Sequence, residues 1–118
     1  MKITTWDING IRSNLEALAR IAETLCTDII CLKEIKIMTE LFPTDEVTAM
    51  VDAARETWGK VDILVNNAGI LRDKSFSKMT LDDFRAVMEV HLWGSVVCTK
   101  AVWDHMKEAG YGRIVMTS

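Results

Sequence analysis

The chain has 118 residues, 49% of them hydrophobic and 26% charged, with a formal net charge of −3. That size and balance suit a single α/β domain over residues 1–118 with a core of its own. The acidic balance and the lack of a Lys/Arg run argue against nucleic-acid and anionic-membrane partners. No apolar run approaches the roughly 20 residues that span a bilayer.

Residues 2–8 (KITTWDI) alternate and are β-prone, so they read as a strand. Lys2 is followed by polar residues, which is no signal peptide, so the expected location is cytoplasmic. Asn9-Gly10 is a turn signal, and Ser13 with Glu16 three residues on has the spacing of a capping box. Leu15, Leu18, Ala22 and Leu25 continue at helical spacing to Thr27-Asp28. Ile29 to Leu32 is a continuous apolar run, expected of a strand covered on both faces.

Residues 35–43 read as irregular or as a short helical turn and close on Pro43, the single proline. Thr44 opens a helix whose apolar stripe is Val47, Met50, Val51, Ala54 and Trp58, with Gly59 as its stop. Val61 to Val65 is a third strand, ending at Asn66-Asn67-Ala68-Gly69. A polar loop runs from Leu71 to Met79. Thr80 and Asp83 then start a long helix over 81–109, broken by Gly110 and Gly112. Arg113 to Thr117 is the last strand. The order β-α-β-α-β-α-β predicts a Rossmann- or flavodoxin-like four-stranded parallel sheet with right-handed crossovers.

The last helix is long, and its apolar residues (Phe84, Val87, Met88, Leu92, Trp93, Val96, Val97, Val102, Trp103, Met106) wrap more than one face. One face suits the sheet. The other is expected to self-associate, as a homodimer through helix 81–109 with exchange of terminal segments as one route. His105, one turn from the helix end, is placed to complement the helix dipole as an imidazolium. His91 is expected to be partly buried, and Trp93 and Trp103 to be packing residues. Cys26, Cys31 and Cys98 form no Cys-x-x-Cys pair, which supports neither a disulfide framework nor a zinc site.

Two resemblances add to this reading. KITTWDINGIRSN, DIICLKEIK and LFP, within residues 1–43, resemble the start of the exonuclease III and apurinic endonuclease family. That resemblance implies a weak Mg²⁺ site at Asp7 and Glu34, where a metal would polarise a phosphate. WGKVDILVNNAGI, VHLWG and YGRIVMTS, within residues 44–118, resemble short-chain dehydrogenase/reductases, and especially the (3R)-hydroxyacyl-CoA dehydrogenase part of multifunctional β-oxidation enzymes. This second resemblance implies that Asn66, Asn67, Ala68 and Gly69 border the nucleotide side of a nicotinamide cofactor. It also places His91 where most of the wider family has an Asn on the catalytic helix.

Such dehydrogenases bind NAD through a Gly-rich turn after the first strand. The glycines here, at 10, 59, 69, 94, 110 and 112, make no such turn. The Tyr-x-x-x-Lys pair is absent too, since Tyr111 is followed by Val115 at the fourth position. The expected Ser of that catalytic set falls just beyond Ser118. The two resemblances together predict a recombined or engineered chimera with a seam near 43–44 and a strand order of 2-1-3-4. Its expected role is a scaffold without catalysis or a firmly held cofactor. Weak NAD or AMP binding at the strand ends and a weak Mg²⁺-dependent phosphodiesterase remnant are the alternatives.

Overall fold

The β-branched ITTWD and the apolar IICLK segments form two strands, β1 (Ile3–Asp7) and β2 (Ile29–Lys33). The computed structural model describes these strands, the helical residue Arg20, and residues 44–117. β1 and β2 pair in parallel, with Ile3 opposite Ile29 and Asp7 opposite Lys33. A parallel pair needs a crossover connection. The helix expected between Ser13 and Leu25 lies outside the described residues apart from Arg20, as do Gly10, Cys26, Glu34 and Pro43.

Helix α1 (Thr44–Trp58) forms where its stripe demands. Val47 and Val51, one turn apart, are buried, while Asp45 and Glu46 in the first turn complement the positive end of the helix dipole. Gly59 takes a left-handed φ of 79° and its N–H donates to the Arg55 carbonyl at 2.7 Å. A side chain at that φ would strain the turn, so the glycine ends the helix where the sequence places the stop. Trp58, expected in the apolar stripe, is exposed.

β3 (Ile63–Asn66) and β4 (Arg113–Met116) form a second parallel pair, with Ile63 opposite Arg113 and Asn66 opposite Met116. The described residues contain no ladder between β1 and β3, which the order 2-1-3-4 requires. Between β3 and β4 the chain is helical from 81 to 109, as expected, but not as one α-helix. α2 (Leu81–Met88) passes through a π-helical turn, Glu89–Trp93, into α3 (Gly94–Ala109). The Gly94 N–H reaches back five residues to the Glu89 carbonyl. One extra residue is thereby absorbed without ending the helix.

α1 and α3 pack together on one face of β3–β4. Val47 meets Val97, while Val51, Val102 and Met106 form a cluster with Leu64 and Ile114 from the sheet. Val102 is the deepest residue of that cluster at 1% exposure. Burying one such side chain contributes roughly 1.5–3 kcal/mol. The opposite sheet face, carrying Ile63, Val65 and Val115, stays about half exposed. The two-sided burial expected of the long helix is one-sided in the single chain: Leu92, Trp93, Val96 and Trp103 are exposed, so Trp93 and Trp103 are not core residues. Among the described residues, no helix is long and apolar enough to cross a membrane.

Candidate functional site at the carboxyl ends of β3 and β4

Parallel strands deliver their carboxyl ends, and the loops that follow, to one edge of the sheet, where open α/β folds bind ligands. Here that edge is Asn66 to Ile70 after β3 and Thr117 after β4. Asn66 closes β3 and is 9% exposed. A buried amide needs partners, and it finds them on two other elements. Its Nδ2 donates to Thr99 Oγ1 of α3 at 3.2 Å and lies 3.1 Å from Met116 Sδ of β4. The Asn66 carbonyl accepts from the Thr117 N–H at 3.1 Å. The Thr117 hydroxyl has two acceptors in reach, the Asn66 carbonyl at 3.2 Å and Asn67 Oδ1 at 3.0 Å. The two strand ends are therefore latched to each other and to α3.

Asn67, Ala68 and Gly69 are exposed at this edge, so the four residues singled out in the sequence do share one rim. Gly69 is glycine for a local reason. A Cβ there would meet His91 Cε1 at 2.8 Å and Nε2 at 3.2 Å. His91 is exposed rather than partly buried, and its Nε2 lies against the backbone of Ile70. No sequence motif pairs Ile70 with His91, and none pairs Asn66 with Thr99. His105 Nε2 accepts the Val61 N–H at 3.2 Å, so the ring ties the segment just before β3 to α3.

Below the rim, on the side of α3, lies an open groove. Leu92, Val96, Trp103 and Met116 supply its apolar wall, while Ser95, Thr99, Lys100 and Thr117 supply polar groups. Cys98 is largely buried and burial pushes its thiol pKa up, which makes it an inert packing residue. Of the expected metal pair, Asp7 is the last residue of β1 and Glu34 lies outside the described residues. No group of three or more His, Cys, Asp or Glu able to hold a metal occurs among the described residues.

The loop leading into α2 is fixed by one carboxylate. Asp83 Oδ2 accepts from Lys74 Nζ at 2.7 Å, from the Thr80 hydroxyl at 2.8 Å and from the Thr80 N–H at 3.2 Å. Thr80 Oγ1 accepts from the Asp83 N–H in return, which completes the capping box expected from the sequence. The Lys74 ammonium and the Thr80 donors hold the Asp83 carboxyl at a pKa of about 2, below the ordinary carboxylate value.

The short chain dehydrogenase family model matches residues 7–118. Peroxisomal multifunctional enzyme type 2 of Drosophila melanogaster is 38% identical over 117 residues, 99% of this chain and 19% of that enzyme. Its namesake in Mus musculus is 54% identical over 69 residues, 58% of this chain and 9% of that enzyme. Acetoacetyl-CoA reductase of Allochromatium vinosum is 46% identical over 74 residues, 63% of this chain and 30% of the reductase. Gluconate 5-dehydrogenase from Burkholderia cenocepacia, solved with NADP and tartrate, superposes with a TM-score of 0.64 at 28% identity, over 93% of this chain and 41% of that one. The chain thus spans less than half of the length of each of these proteins.

These matches correct the sequence reading. The family match crosses residues 43–44, where a seam was expected, and nothing in the comparisons supports a nuclease-derived start. The error has a physical origin: a β-strand, a helix and a parallel β-strand open many α/β enzymes, so short identities over one such unit discriminate poorly. The expected non-catalytic, engineered scaffold is overturned as well, since the relatives are dehydrogenases and reductases. Its alternatives, residual nucleotide binding and a phosphodiesterase remnant, are not favoured by these matches.

Proposed function

Because this chain belongs to the short-chain dehydrogenase family, we propose that it is the central sheet-and-helix segment of a dehydrogenase acting at the carbon-3 alcohol or ketone of an acyl thioester. Similarity to acetoacetyl-CoA reductase supports that substrate class, as does the resemblance of NNAGILRDKSFSKMT and AVWDHMKEAGYGRI to hydroxyacyl-CoA dehydrogenases. The structural observation that carries the reading is the latched rim: Asn66, Thr99, Thr117 and His91 hold the loop after β3 where an open α/β sheet takes its ligand. In this reading β1 lies beside β3, giving the order 2-1-3-4, and the exposed face of α3 meets a second copy.

Members of the family work with a nicotinamide dinucleotide, and the residues present fit that group incompletely. The sequence after β1 offers one glycine, Gly10, where the pyrophosphate needs close backbone approach at several positions. Gly69, at the rim, has its open side filled by the ring of His91. Tyr111 precedes β4, at the opposite end of the sheet from the rim, with Val115 four residues on. No step of hydride or proton transfer is therefore derived from these residues. What they do is tie the two strand ends to each other and to α3.

A hybrid tests the proposal. The matching 74-residue stretch of acetoacetyl-CoA reductase is replaced by that of this chain, and reductant oxidation with acetoacetyl-CoA is followed. Activity within roughly tenfold of the parent is expected, a loss of no more than about 1.4 kcal/mol in transition-state stabilisation. A folded hybrid that binds acetoacetyl-CoA but does not turn it over rejects the reading.

A further inference from the structure

Between the rim and α2 the chain runs from Leu71 to Thr80, and residues 71–75 belong to no helix or strand. Arg72, Lys74 and Lys78 set cations around Ser75 and Ser77, all of them exposed. The backbone of Ser75 is fixed. Its carbonyl accepts the Lys78 N–H at 2.8 Å and the Met79 N–H at 3.0 Å, which closes a turn. Its hydroxyl lies at the surface, 3.3 Å from that of Ser77.

The sequence singles out Ser75. Among the serines and threonines of the whole chain, it alone has an arginine three residues before it. Lys74 stands directly before it, and Phe76, 90% exposed, directly after. Protein kinases choose substrates largely by such charge patterns, and a guanidinium presents a forked donor to a kinase's carboxylates. The exposed, irregular approach over 71–75 enters a kinase groove without unfolding an element. The bonds that hold it are surface ones. Lys74 Nζ meets Asp83 Oδ2 at 2.7 Å and Arg72 Nε meets Asp83 Oδ1 at 3.7 Å, with both basic side chains close to half exposed. Exposed pairs of this kind contribute little, so they yield to a competitor.

We propose that Ser75 is a phosphorylation site whose phosphate draws Lys74 away from Asp83. In the transfer, Ser75 Oγ attacks the γ-phosphorus of a nucleoside triphosphate held by a basophilic protein kinase. The new O–P bond forms as the bond to the nucleoside diphosphate breaks, and the hydroxyl proton passes to the kinase's catalytic carboxylate. The product carries about two negative charges and strong acceptor oxygens at the turn. Lys74 and Lys78, its nearest cations along the chain, are drawn to it. Asp83 then loses its 2.7 Å partner and faces a like charge, yet keeps the Thr80 donors that make the helix cap. The loop that leaves the rim is thereby tied to its own turn rather than to α2.

The test incubates the full chain with Mg²⁺-ATP and a basophilic protein kinase, the catalytic subunit of the cyclic-AMP-dependent enzyme. Incorporated phosphate is located by fragment mass spectrometry. One phosphate, on Ser75, is expected. Uptake should be lost in Ser75→Ala, stay within about twofold of wild type in Ser77→Ala, and slow roughly tenfold or more in Arg72→Ala, which lacks the charge-assisted contact. A folded chain left unmodified, or modified on another residue, overturns the proposal. So does uptake by Arg72→Ala at the wild-type rate. Should a variant not fold, the wild type decides, with the Asp83 carboxyl titrated by NMR before and after phosphorylation. That carboxyl, held at about 2 in the unmodified chain by Lys74 and Thr80, is expected to titrate at higher pH once Ser75 carries phosphate. An unchanged titration overturns the release of Lys74 and the proposal with it.

Discussion

Gly112 shows how little room single residues have in this fold. A Cβ there would lie 2.8 Å from Met106 Cβ and 2.6 Å from its Sδ, and Met106 is buried in the main cluster. The stem of Met106 cannot swing away as a flexible tip would. Gly112→Ala is therefore expected to destabilise the fold by about 1–3 kcal/mol, read as a lower urea midpoint with an unchanged slope. Asp83 acts at the same scale through charge. Its folded pKa of about 2 lies below the ordinary 3.8, so its stabilising effect is complete above about pH 5. That effect is lost as pH falls from about 4 toward 2. Asp83→Asn should lower the urea midpoint at pH 6 and flatten its fall between pH 4 and 2.5. Equal acid slopes in the two proteins would refute this account.

Much of each element was legible in the sequence, because its cause is local. Helix α1 follows from the spacing of Val47 and Val51 and from Gly59, and α2 begins at the Thr80–Asp83 box. Val102→Ala, at the tightest point between α1, α3 and the sheet, should cost roughly 2 kcal/mol in denaturant unfolding. The π turn was not legible. EVHLW keeps an ordinary helical pattern, and the turn's cause is distant: His91 must face Ile70 while Val97 and Val102 face the core. The contacts of Asn66 with Thr99 and of His105 with Val61 are hidden for the same reason, since each joins residues more than 30 apart in the chain. Removing Leu92 makes the turn testable. The deletion should restore regular α-helix but rotate α3 by about 100° against α2. Circular dichroism would then keep its helical signal while the Val102 cluster loosens, seen as lost near-ultraviolet signal.

For the whole molecule, the family was legible from the NNAG strand end and the helix after it, while the first 43 residues misled because a pair of parallel strands such as β1 and β2 opens many α/β enzymes. The single chain leaves Leu92, Val96 and Trp103 exposed on one side of α3. If a second copy covers them, sedimentation should give a dimer, and Trp103→Glu should shift it to monomer with little change in helix content, because Trp103 is 51% exposed. A wild type that sediments as a monomer at high concentration would remove the dimer. Ile63, Val65 and Val115 add a second wet oily surface behind the sheet, away from α1 and α3. Adhesion between such surfaces is driven largely by the release of ordered water, and it fades on chilling. Complexes glued together by this wall should fall apart in the refrigerator and re-form on warming.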